Sequence, residues 1–562
     1  MDTHFDAIVV GSGFGGSVSA YRMADAGLRV CLLERGKVYP PGSFPRRPAE
    51  MRTNFWDPSA GLHGLFDVWS FHGFESIVSS GLGGGSLIYA NVLLRKDEHW
   101  FVTDRTAAGG YEHWPVTREQ LEEHYKRVED MIAPQPFPFE RPPYQHVAKT
   151  AAMQQAAGML GLAWQLPNLA VTFGNPGQDP VPGATIVEAE PNLHGRARYT
   201  CMLCRVCDIG CNYGSKNTLD HTYLSAAKRR GADIRERCEV RSFRPRDGGG
   251  YAVDYVRHDE AAEGQRTDTK SLPLVTLTAD RLVLSAGAYG TTFLLLRNRE
   301  AFPHLSGLLG SRFSGNGDLL TFVMPGKAGP PGTAKRLDGS FGPVITSAIR
   351  MPDAADGVKG AGRGYYVEDG GYPQFVDWLL EAQDAPGTAV RLFRFLARRV
   401  LGSLRGGQKS DLGAQVAELL GDCRRSTGSL PMLAMGRDVP DGRMTLRGGW
   451  LDIDWTTRSS AVYFDRVRAT MREIAAALGG VHADNPIWYL RRVITVHPLG
   501  GCPMGDHEGE GVVGPYGEVF NYPGMYVADG SVMPGPVGAN PALTIAALAD
   551  RFADRLVEPV AR

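Results

Sequence analysis

The sequence predicts an α/β fold in which a parallel sheet, covered by helices, is interwoven with a second domain of mixed α+β structure. Three observations support this prediction. The chain opens with a strand–helix–strand pattern, strand patterns that fit the same sheet return after residue 230, and 562 residues are too many for one simple core. We therefore expect two domains, each built from several separate segments.

The predicted domain boundaries follow changes of pattern along the chain. Segments with apolar β-rich runs and glycine loops are assigned to the sheet that opens the chain, and the segments between them to the second domain. The first domain is predicted to comprise residues 1–45, 71–100, 196–330 and 481–562, and the second residues 46–70, 101–195 and 331–480.

The composition argues against several classes of protein. The 60 basic and 61 acidic residues leave a formal net charge of −1, so no overall field attracts nucleic acid, and we expect no nucleic-acid partner. No stretch reaches the roughly 18 apolar residues of a membrane helix. The amino terminus enters a strand without a charged leader and an apolar stretch, which predicts a cytoplasmic protein.

The opening segment carries a dinucleotide-binding pattern. Gly11, Gly13 and Gly16 fit GxGxxG between the strand FDAIVV and a helix, where they permit a tight turn and close approach of a pyrophosphate to the helix amino terminus. Glu34 ends the second strand, where a carboxylate can bind the adenosine ribose hydroxyls. The pattern predicts a bound dinucleotide but does not distinguish FAD from NAD.

Periodicity predicts the remaining elements. Residues 40–75 lack a clean period and predict a long covering loop. Residues 116–165 predict helices that wall a substrate region, the first of them capped by Thr117 and Gln120. A helix is predicted over residues 217–231, followed by short strands, and a last strand and helix return to the first sheet.

A second glycine cluster and the carboxy-terminal segment identify a family. The motifs GSGFGG, GLGGGSLIYANV, GCNYGSKNTLDHTYL, HPLGGCPMG and DGSVMPGPVGANPALTIAALA occur in this order. On these motifs the chain resembles the glucose-methanol-choline flavoprotein oxidoreductases, and within them the cholesterol oxidase branch. The resemblance implies a Rossmann-type FAD-binding domain, a bound FAD and oxidation of an alcohol to a carbonyl.

The resemblance also implies which residues bind FAD. Gly83, Gly84 and Gly85 would let backbone amides approach an anionic reduced flavin, and Val240 would present its backbone to the adenine. The implied cofactor-binding residues are Gly11, Gly13, Phe14, Gly15, Gly16, Glu34, Arg35, Gly83, Gly84, Gly85, Ser86, Asn91, Val240, Ala286, Gly287, Asp529, Gly530, Asn540 and Pro541.

Two residues are the catalytic candidates. Alcohol oxidation needs a base for the hydroxyl proton, which His497 in VHPLGGC fits, and a polar anchor for the oxygen, which Asn540 in GANPA fits. Some members of the branch add a glutamate from the substrate domain. The candidates for it are Glu368 and Asp369 in YYVEDGGYP, which we interpret as a surface turn.

Four cysteines are clustered. Cys201, Cys204, Cys207 and Cys211 have the spacing of a bacterial iron–sulfur run, but no proline follows the fourth cysteine and no second run exists. Three interpretations fit: an iron–sulfur cluster, with Cys238 able to replace one ligand, a zinc site, or reduced thiols. A cluster, which certain related sugar dehydrogenases carry, would provide a one-electron outlet. The predicted acceptor is therefore oxygen or an external electron acceptor.

One helix bears on membrane contact. In residues 390–406, Arg391, Arg394, Arg398 and Arg405 share one face of a predicted helix. Such a face allows peripheral membrane contact, although a solvated face is the favoured interpretation.

The resemblance favours a bulky ring alcohol as the small-molecule substrate, with sterol hydroxyls first. The alternative is a sugar or aminocyclitol alcohol oxidised in a biosynthetic pathway. A third hypothesis, an electron-transfer flavoprotein subunit without catalysis, is opposed by the presence of His497 and Asn540.

Overall fold

The computed structural model of the chain describes residues 3–104, 111–325, 341–353, 363–371 and 430–559. The predicted basic helix over 390–406 lies outside these residues. Within the described ranges, no helix has both the length and the apolar character needed to cross a membrane.

The helices and strands are numbered in chain order. The helices are α1 (Phe14–Asp25), α2 (Pro48–Met51), α3 (Arg118–Ile132), α4 (Ala148–Leu160), α5 (Tyr223–Arg229), α6 (Gly287–Arg297), α7 (Ala461–Ala477) and α8 (Ala542–Leu556). The strands are β1 (His4–Val10), β2 (Val30–Leu33), β3 (Trp56–Asp57), β4 (Leu62–His63), β5 (Phe66–Ser70), β6 (Phe74–Ser79), β7 (Val92–Leu93), β8 (Val102–Asp104), β9 (Tyr111–His113), β10 (Gln135–Pro136), β11 (Ala163–Gln165), β12 (Asn168–Leu169), β13 (Asp233–Arg235), β14 (Cys238–Pro245), β15 (Tyr251–Arg257), β16 (Leu274–Leu284), β17 (Leu319–Pro325), β18 (Ala348–Arg350), β19 (Tyr365–Asp369), β20 (Leu430–Gly436), β21 (Arg443–Arg447), β22 (Trp450–Asp454), β23 (Gly480–Asp484), β24 (Val493–Thr495) and β25 (Met525–Val527).

The first sheet has a parallel centre in the order β13–β2–β1–β16–β25. Val10 is paired with Leu33 on one side and with Leu284 on the other, so three strands end at the same edge. The amino-terminal half of β16 pairs with the antiparallel hairpin of β14 and β15. The central strands are buried apolar runs, as expected for a parallel sheet covered on both faces. The predicted Rossmann-type α/β architecture is confirmed.

Helix α3 lies in an unexpected place. Its capping box of Thr117 and Gln120 forms as predicted. The helix packs against α8, however, and Leu121 and Tyr125 belong to the core of the first sheet. The expectation that this helix walls a substrate region is therefore wrong, because its apolar face is buried against the helices of the first sheet.

The second sheet is antiparallel, in the order β11–β18–β19–β20–β17–β23. Helices α4 and α7 pack on it, with Met153, Phe464 and Met471 among the buried residues. Strands β17 and β23 were predicted within the segments of the first domain. They lie in the second sheet because their backbones pair with β20 and with each other. The other predicted domain boundaries stay predictions.

Two local predictions also differ from the structure. Residues 40–75 contain helix α2 and strands β3 to β5 in addition to loop, and β5 pairs with β6 because both carry alternating aromatic and β-branched residues. The helix predicted over 217–231 begins only at Tyr223. The preceding turn uses the side chains of Asn217 and Asp220 in hydrogen bonds to other segments.

Candidate active site

A cleft of about 2540 Å³ lies where the strands of the first sheet end and the second sheet begins. Val10, Leu33 and Ser285 line it from the first sheet, and Leu320 and Leu433 from the second. Both catalytic candidates and most predicted cofactor residues also line the cleft. The predicted cofactor residues that do not line it are Gly16, Gly83 and Ser86.

The first glycine loop leaves space on one side only. A Cβ at Gly15 would lie 1.3 Å from the Ala528 carbonyl oxygen, and one at Gly16 would lie 2.0 Å from the Gly11 carbonyl oxygen. At Gly13, in contrast, a Cβ would meet nothing within 4 Å. This glycine precedes helix α1 and faces the cleft, so the loop has the open cradle that a dinucleotide pyrophosphate requires.

A hydrogen-bonded chain joins the two glycine loops. Glu34 accepts from the backbone N–H of Ser12 at 3.0 Å and from its hydroxyl at 2.6 Å, and the Ser12 Oγ accepts from the Gly83 N–H at 3.0 Å. A Cβ at Gly84 would lie 2.6 Å from Gly13 Cα. Ser86 is buried and donates to the Gly83 carbonyl at 2.7 Å. Gly83 and Ser86 thus shape the loop, and Gly84 and Gly85 face the cleft.

Charged and aromatic residues line part of the cleft. Arg35 pairs with Asp67 at 2.6 Å, and its guanidinium lies 5.2 Å from the centre of the Trp56 ring. Val240, on strand β14, also lines the cleft. So does Asn91, which has a left-handed φ of 74°.

Asp529 has a mainly internal role. Its carboxylate accepts from the Gly287 N–H at 2.9 Å and from the Thr291 hydroxyl at 2.5 Å, which ties it to the start of helix α6. It also accepts from the backbone and hydroxyl of Ser531. Burial raises the pKa of Asp529 while these hydrogen bonds act to lower it. The side chain therefore holds Gly287 and Ala286 in place at the cleft.

His497 is oriented by a residue that the sequence did not indicate. Its Nδ1–H donates to the two carboxylate oxygens of Asp318, at 2.9 and 3.1 Å. The same carboxylate accepts from Thr495 Oγ1 at 3.0 Å and from the Val496 N–H at 2.9 Å. The Asp318 side chain is 1% exposed and that of His497 18%. This pairing keeps the proton on Nδ1 and leaves Nε2 as the nitrogen that can accept a proton.

Asn540 is paired with Glu368. The Asn540 Nδ2–H donates to Glu368 Oε2 at 3.4 Å, and Asn540 Oδ1 and Glu368 Oε1 are buried without a hydrogen-bond partner among the described residues. Burial raises the pKa of Glu368 to about 8, and the charges of Asp369 and Asp318 act in the same direction. The interpretation of YYVEDGGYP as a surface turn is wrong. Both acids are fully buried on strand β19, because this strand is central in the second sheet.

One short loop holds both catalytic candidates. Residues 314–318 supply Asp318 to His497 and Asn316 to the segment before Asn540. Asn316 Nδ2 donates to the Ala539 carbonyl at 3.0 Å, and its Oδ1 accepts from the Gly538 N–H at 2.8 Å. The arrangement can thus fix a base and an oxygen anchor relative to each other.

The four clustered cysteines lie beside the second glycine loop. All of them line one small cavity together with Lys216, and none is in a disulfide. The buried Lys216 ammonium donates to the carbonyls of Cys207, Leu87 and Tyr89, between 2.7 and 3.1 Å. No three of the four sulfurs form a group within 4.8 Å, as single tetrahedral zinc bound at about 2.3 Å would need. Cys238 is on strand β14, outside this cavity.

Comparison with known proteins agrees with this geometry. The model of the FAD dependent oxidoreductase family matches residues 6–308, and that of the GMC oxidoreductase family matches residues 441–549. The chain belongs to the glucose-methanol-choline family of FAD-dependent oxidoreductases. It is therefore an FAD-dependent enzyme that oxidises alcohols, and the open glycine cradle fits that cofactor.

Several curated proteins align with nearly the whole chain. A cholesterol oxidase of Mycobacterium tuberculosis is 30% identical over 98% of this chain and 91% of its own. The paromamine 6'-oxidase of Streptomyces fradiae is 24% identical over 98% and 91%. The crystal structure of pyridoxine 4-oxidase from Mesorbium loti covers 98% of both chains with a TM-score of 0.56 and 17% identity, which supports the fold alone.

Proposed function

We propose that this GMC oxidoreductase oxidises a hydroxyl of a bulky ring substrate, a sterol-like alcohol, to a carbonyl, with His497 as the base. The observation that carries the proposal is the fixed pair of His497 and Asn540 on one cleft with the glycine loops. The 30% identity to a cholesterol oxidase supports the substrate class.

Each residue of the site has its own part in the proposed reaction. Asn540 holds the substrate oxygen, and His497 Nε2 takes the hydroxyl proton as the O–H bond breaks. FAD held at the loop of Gly11 and Gly13 would supply the acceptor for the hydride that leaves the carbon. Asp318 stabilises the cationic imidazole that results from proton transfer. Glu368 orients the Asn540 amide.

Aromatic residues in the cleft support a ring substrate. Trp69, Phe71, Tyr289 and Phe293 are among its lining residues, and ring substrates pack on such side chains.

A sugar or aminocyclitol alcohol is the second candidate. Arg447 and Asp452 of the β21–β22 hairpin also line the cleft and could bind hydroxyl or amino groups. The 24% identity to paromamine 6'-oxidase supports the same alternative.

The electron acceptor depends on what the four cysteines hold. We propose an iron–sulfur cluster, because all four cysteines line one small cavity. Two cations lie beside it: Lys216 lines the cavity, and Arg46 donates to the Ile209 and Gly210 carbonyls at 3.2 and 2.7 Å. Such a cluster would pass electrons one at a time to an external acceptor, which would then replace oxygen. Iron and sulfide analysis, with electron paramagnetic resonance of the reduced protein, tests this. Protein purified without air that contains neither iron nor sulfide contradicts it.

The substrate is tested by anaerobic flavin bleaching. Purified holoenzyme is mixed without oxygen with sterols, sugars, aminocyclitols and simple polyols, and the visible flavin absorbance is followed. We expect sterol-like alcohols to bleach the flavin fastest. Bleaching by sugars or aminocyclitols alone would support the second candidate. If none of these alcohols bleaches a flavin that dithionite reduces normally, both proposed substrate classes are wrong.

A further inference from the structure

Three metal-ligating side chains meet outside the cleft. His194, Asp220 and His221 each bring one potential ligand atom into a group whose members all lie within 4.8 Å of one another. His194 Nε2 lies 2.6 Å from Asp220 Oδ2, with the two side chains 1% and 2% exposed. The rings of His194 and His221 meet edge to face, with centroids 5.2 Å apart. The loop before the cysteines and the turn before helix α5 are thus joined by ligand-type side chains.

A histidine–aspartate hydrogen bond explains only part of this cluster. It accounts for Oδ2 of Asp220. The Thr218 side chain also acts on this carboxylate, but Oδ1 is buried and accepts no well-formed hydrogen bond from the residues that the structure describes. The same holds for Nδ1 of His221. Leaving a buried carboxylate oxygen and a buried ring nitrogen unpaired is costly, and one cation would satisfy both atoms.

We propose that His194, Asp220 and His221 bind one divalent transition-metal ion of the zinc class. Two imidazoles and one carboxylate form a ligand set typical of such ions, whereas magnesium and calcium prefer oxygen ligands alone. This site is separate from the four cysteines, and none of its three residues lines the cleft.

The position of the site indicates a structural role. Asp220 follows Leu219, whose backbone N–H donates to Ser86 Oγ of the second glycine loop at 3.1 Å. His194 follows Leu193, whose N–H donates to Ser225 Oγ of helix α5 at 2.9 Å. A metal ion here would fix the loop around residue 194 to helix α5, which packs on α1.

The proposal is tested with Co²⁺ as the probe. Holoenzyme treated with a chelator is titrated with Co²⁺ in its wild-type and His221→Gln forms. We expect the wild type to bind one Co²⁺ with weak visible bands and no sulfur-to-cobalt charge-transfer absorption. His221→Gln should bind Co²⁺ more than about 100-fold more weakly. Losing only a hydrogen bond to a ligand would weaken metal affinity by about 10- to 100-fold. His124→Gln is the matched control, since His124 forms a 2.7 Å pair with Asp550 but belongs to no three-ligand group.

Two results would overturn the proposal. One is equal Co²⁺ binding by the wild type and His221→Gln, and the other is Co²⁺ absorption in the wild type that is due to thiolate ligands alone. Should His221→Gln lose its FAD or fail to fold, X-ray absorption of zinc-loaded wild type gives the answer. A first shell that includes nitrogen and oxygen ligands supports the site, and a shell of sulfur alone contradicts it.

Discussion

Asp318 accepts hydrogen bonds from His497 Nδ1, and we propose that it orients the His497 ring. We expect Asp318→Asn to retain FAD but to slow flavin reduction by about 10²- to 10⁴-fold, because an amide can donate to Nδ1 and move the proton to Nε2. The measurement is anaerobic stopped flow across pH. Asp438→Asn is the matched control. Asp438 accepts from Ser314 and Gly315 of the same loop, and burial raises its pKa to about 7, so a neutral amide should be tolerated. Equal rates for the two variants would rule out the orienting role.

Glu368 gives a prediction on stability. Its folded-state pKa of about 8 lies above the unfolded value of about 4.3, so the folded protein binds this proton more tightly. The protonated Glu368 therefore contributes fully to stability below pH 4.3, and this contribution is lost as the pH rises to 8. Glu368→Gln does not titrate. Relative to that of the wild type, the free energy of unfolding of this variant should therefore rise by about 4 kcal/mol between pH 5 and pH 8. Guanidinium unfolding at pH 5 and pH 8 measures the gain. A difference that does not change with pH would show that Glu368 is ionised in the folded protein.

The sequence predicted some of these residues and not others. His497 and Asn540 stand in motifs and were found from them. Asp318 was missed because an aspartate at the start of a strand, 179 residues from its partner, carries no local pattern. Glu368 was assigned to a surface turn because the neighbouring glycines and proline imitate turn chemistry. Its burial depends on pairing with strands distant in the sequence.

In the first glycine loop, different glycines serve folding and cofactor binding, so substitutions can test the two separately. Gly13 has an ordinary φ of −68°, and a Cβ there would meet no protein atom. Gly13→Ala should therefore fold with unchanged apoprotein stability but bind FAD at least about 10-fold more weakly, since the Cβ would occupy the space of the pyrophosphate. Flavin content and apoprotein melting are the measurements.

Gly15→Ala is the contrasting variant. Its Cβ would lie 1.3 Å from a backbone oxygen, so the backbone itself must shift, and we expect a loss of about 3 kcal/mol or more in stability. If Gly13→Ala were as unstable as Gly15→Ala, the open side of the loop would not be the cofactor side.

Element boundaries were predicted where periodicity was strong. The opening strand–helix–strand unit, helices α3 and α4, and helix α8 all appear close to their predicted positions. The strands predicted as short after residue 231 include one of eleven residues, β16. The helix α3 was placed with the wrong partner, because an apolar face reveals that a helix is buried but not what it packs against.

For the whole molecule, the active site depends on both sheets at once. The first sheet presents the glycine loops, whereas Asp318 precedes β17 and Glu368 lies on β19, both in the second sheet. The sequence predicted two interwoven domains, but it could not predict that β17 and β23 join the second sheet, since strand order is set by pairing over long separations. The distances among the candidate catalytic residues consequently depend on how the two sheets pack against each other.

The central claim is that His497 takes the hydroxyl proton while FAD accepts the hydride, and His497→Gln tests it most directly. Wild type and variant, each with its bound flavin, are mixed with the best alcohol without oxygen, and the flavin absorbance is followed by stopped flow over a range of pH. The account predicts full FAD content and a reduction rate lower by about 10²- to 10⁴-fold in the variant, with the wild-type pH dependence lost. Reduction at the wild-type rate with the wild-type pH dependence would contradict it and show that His497 is not the base.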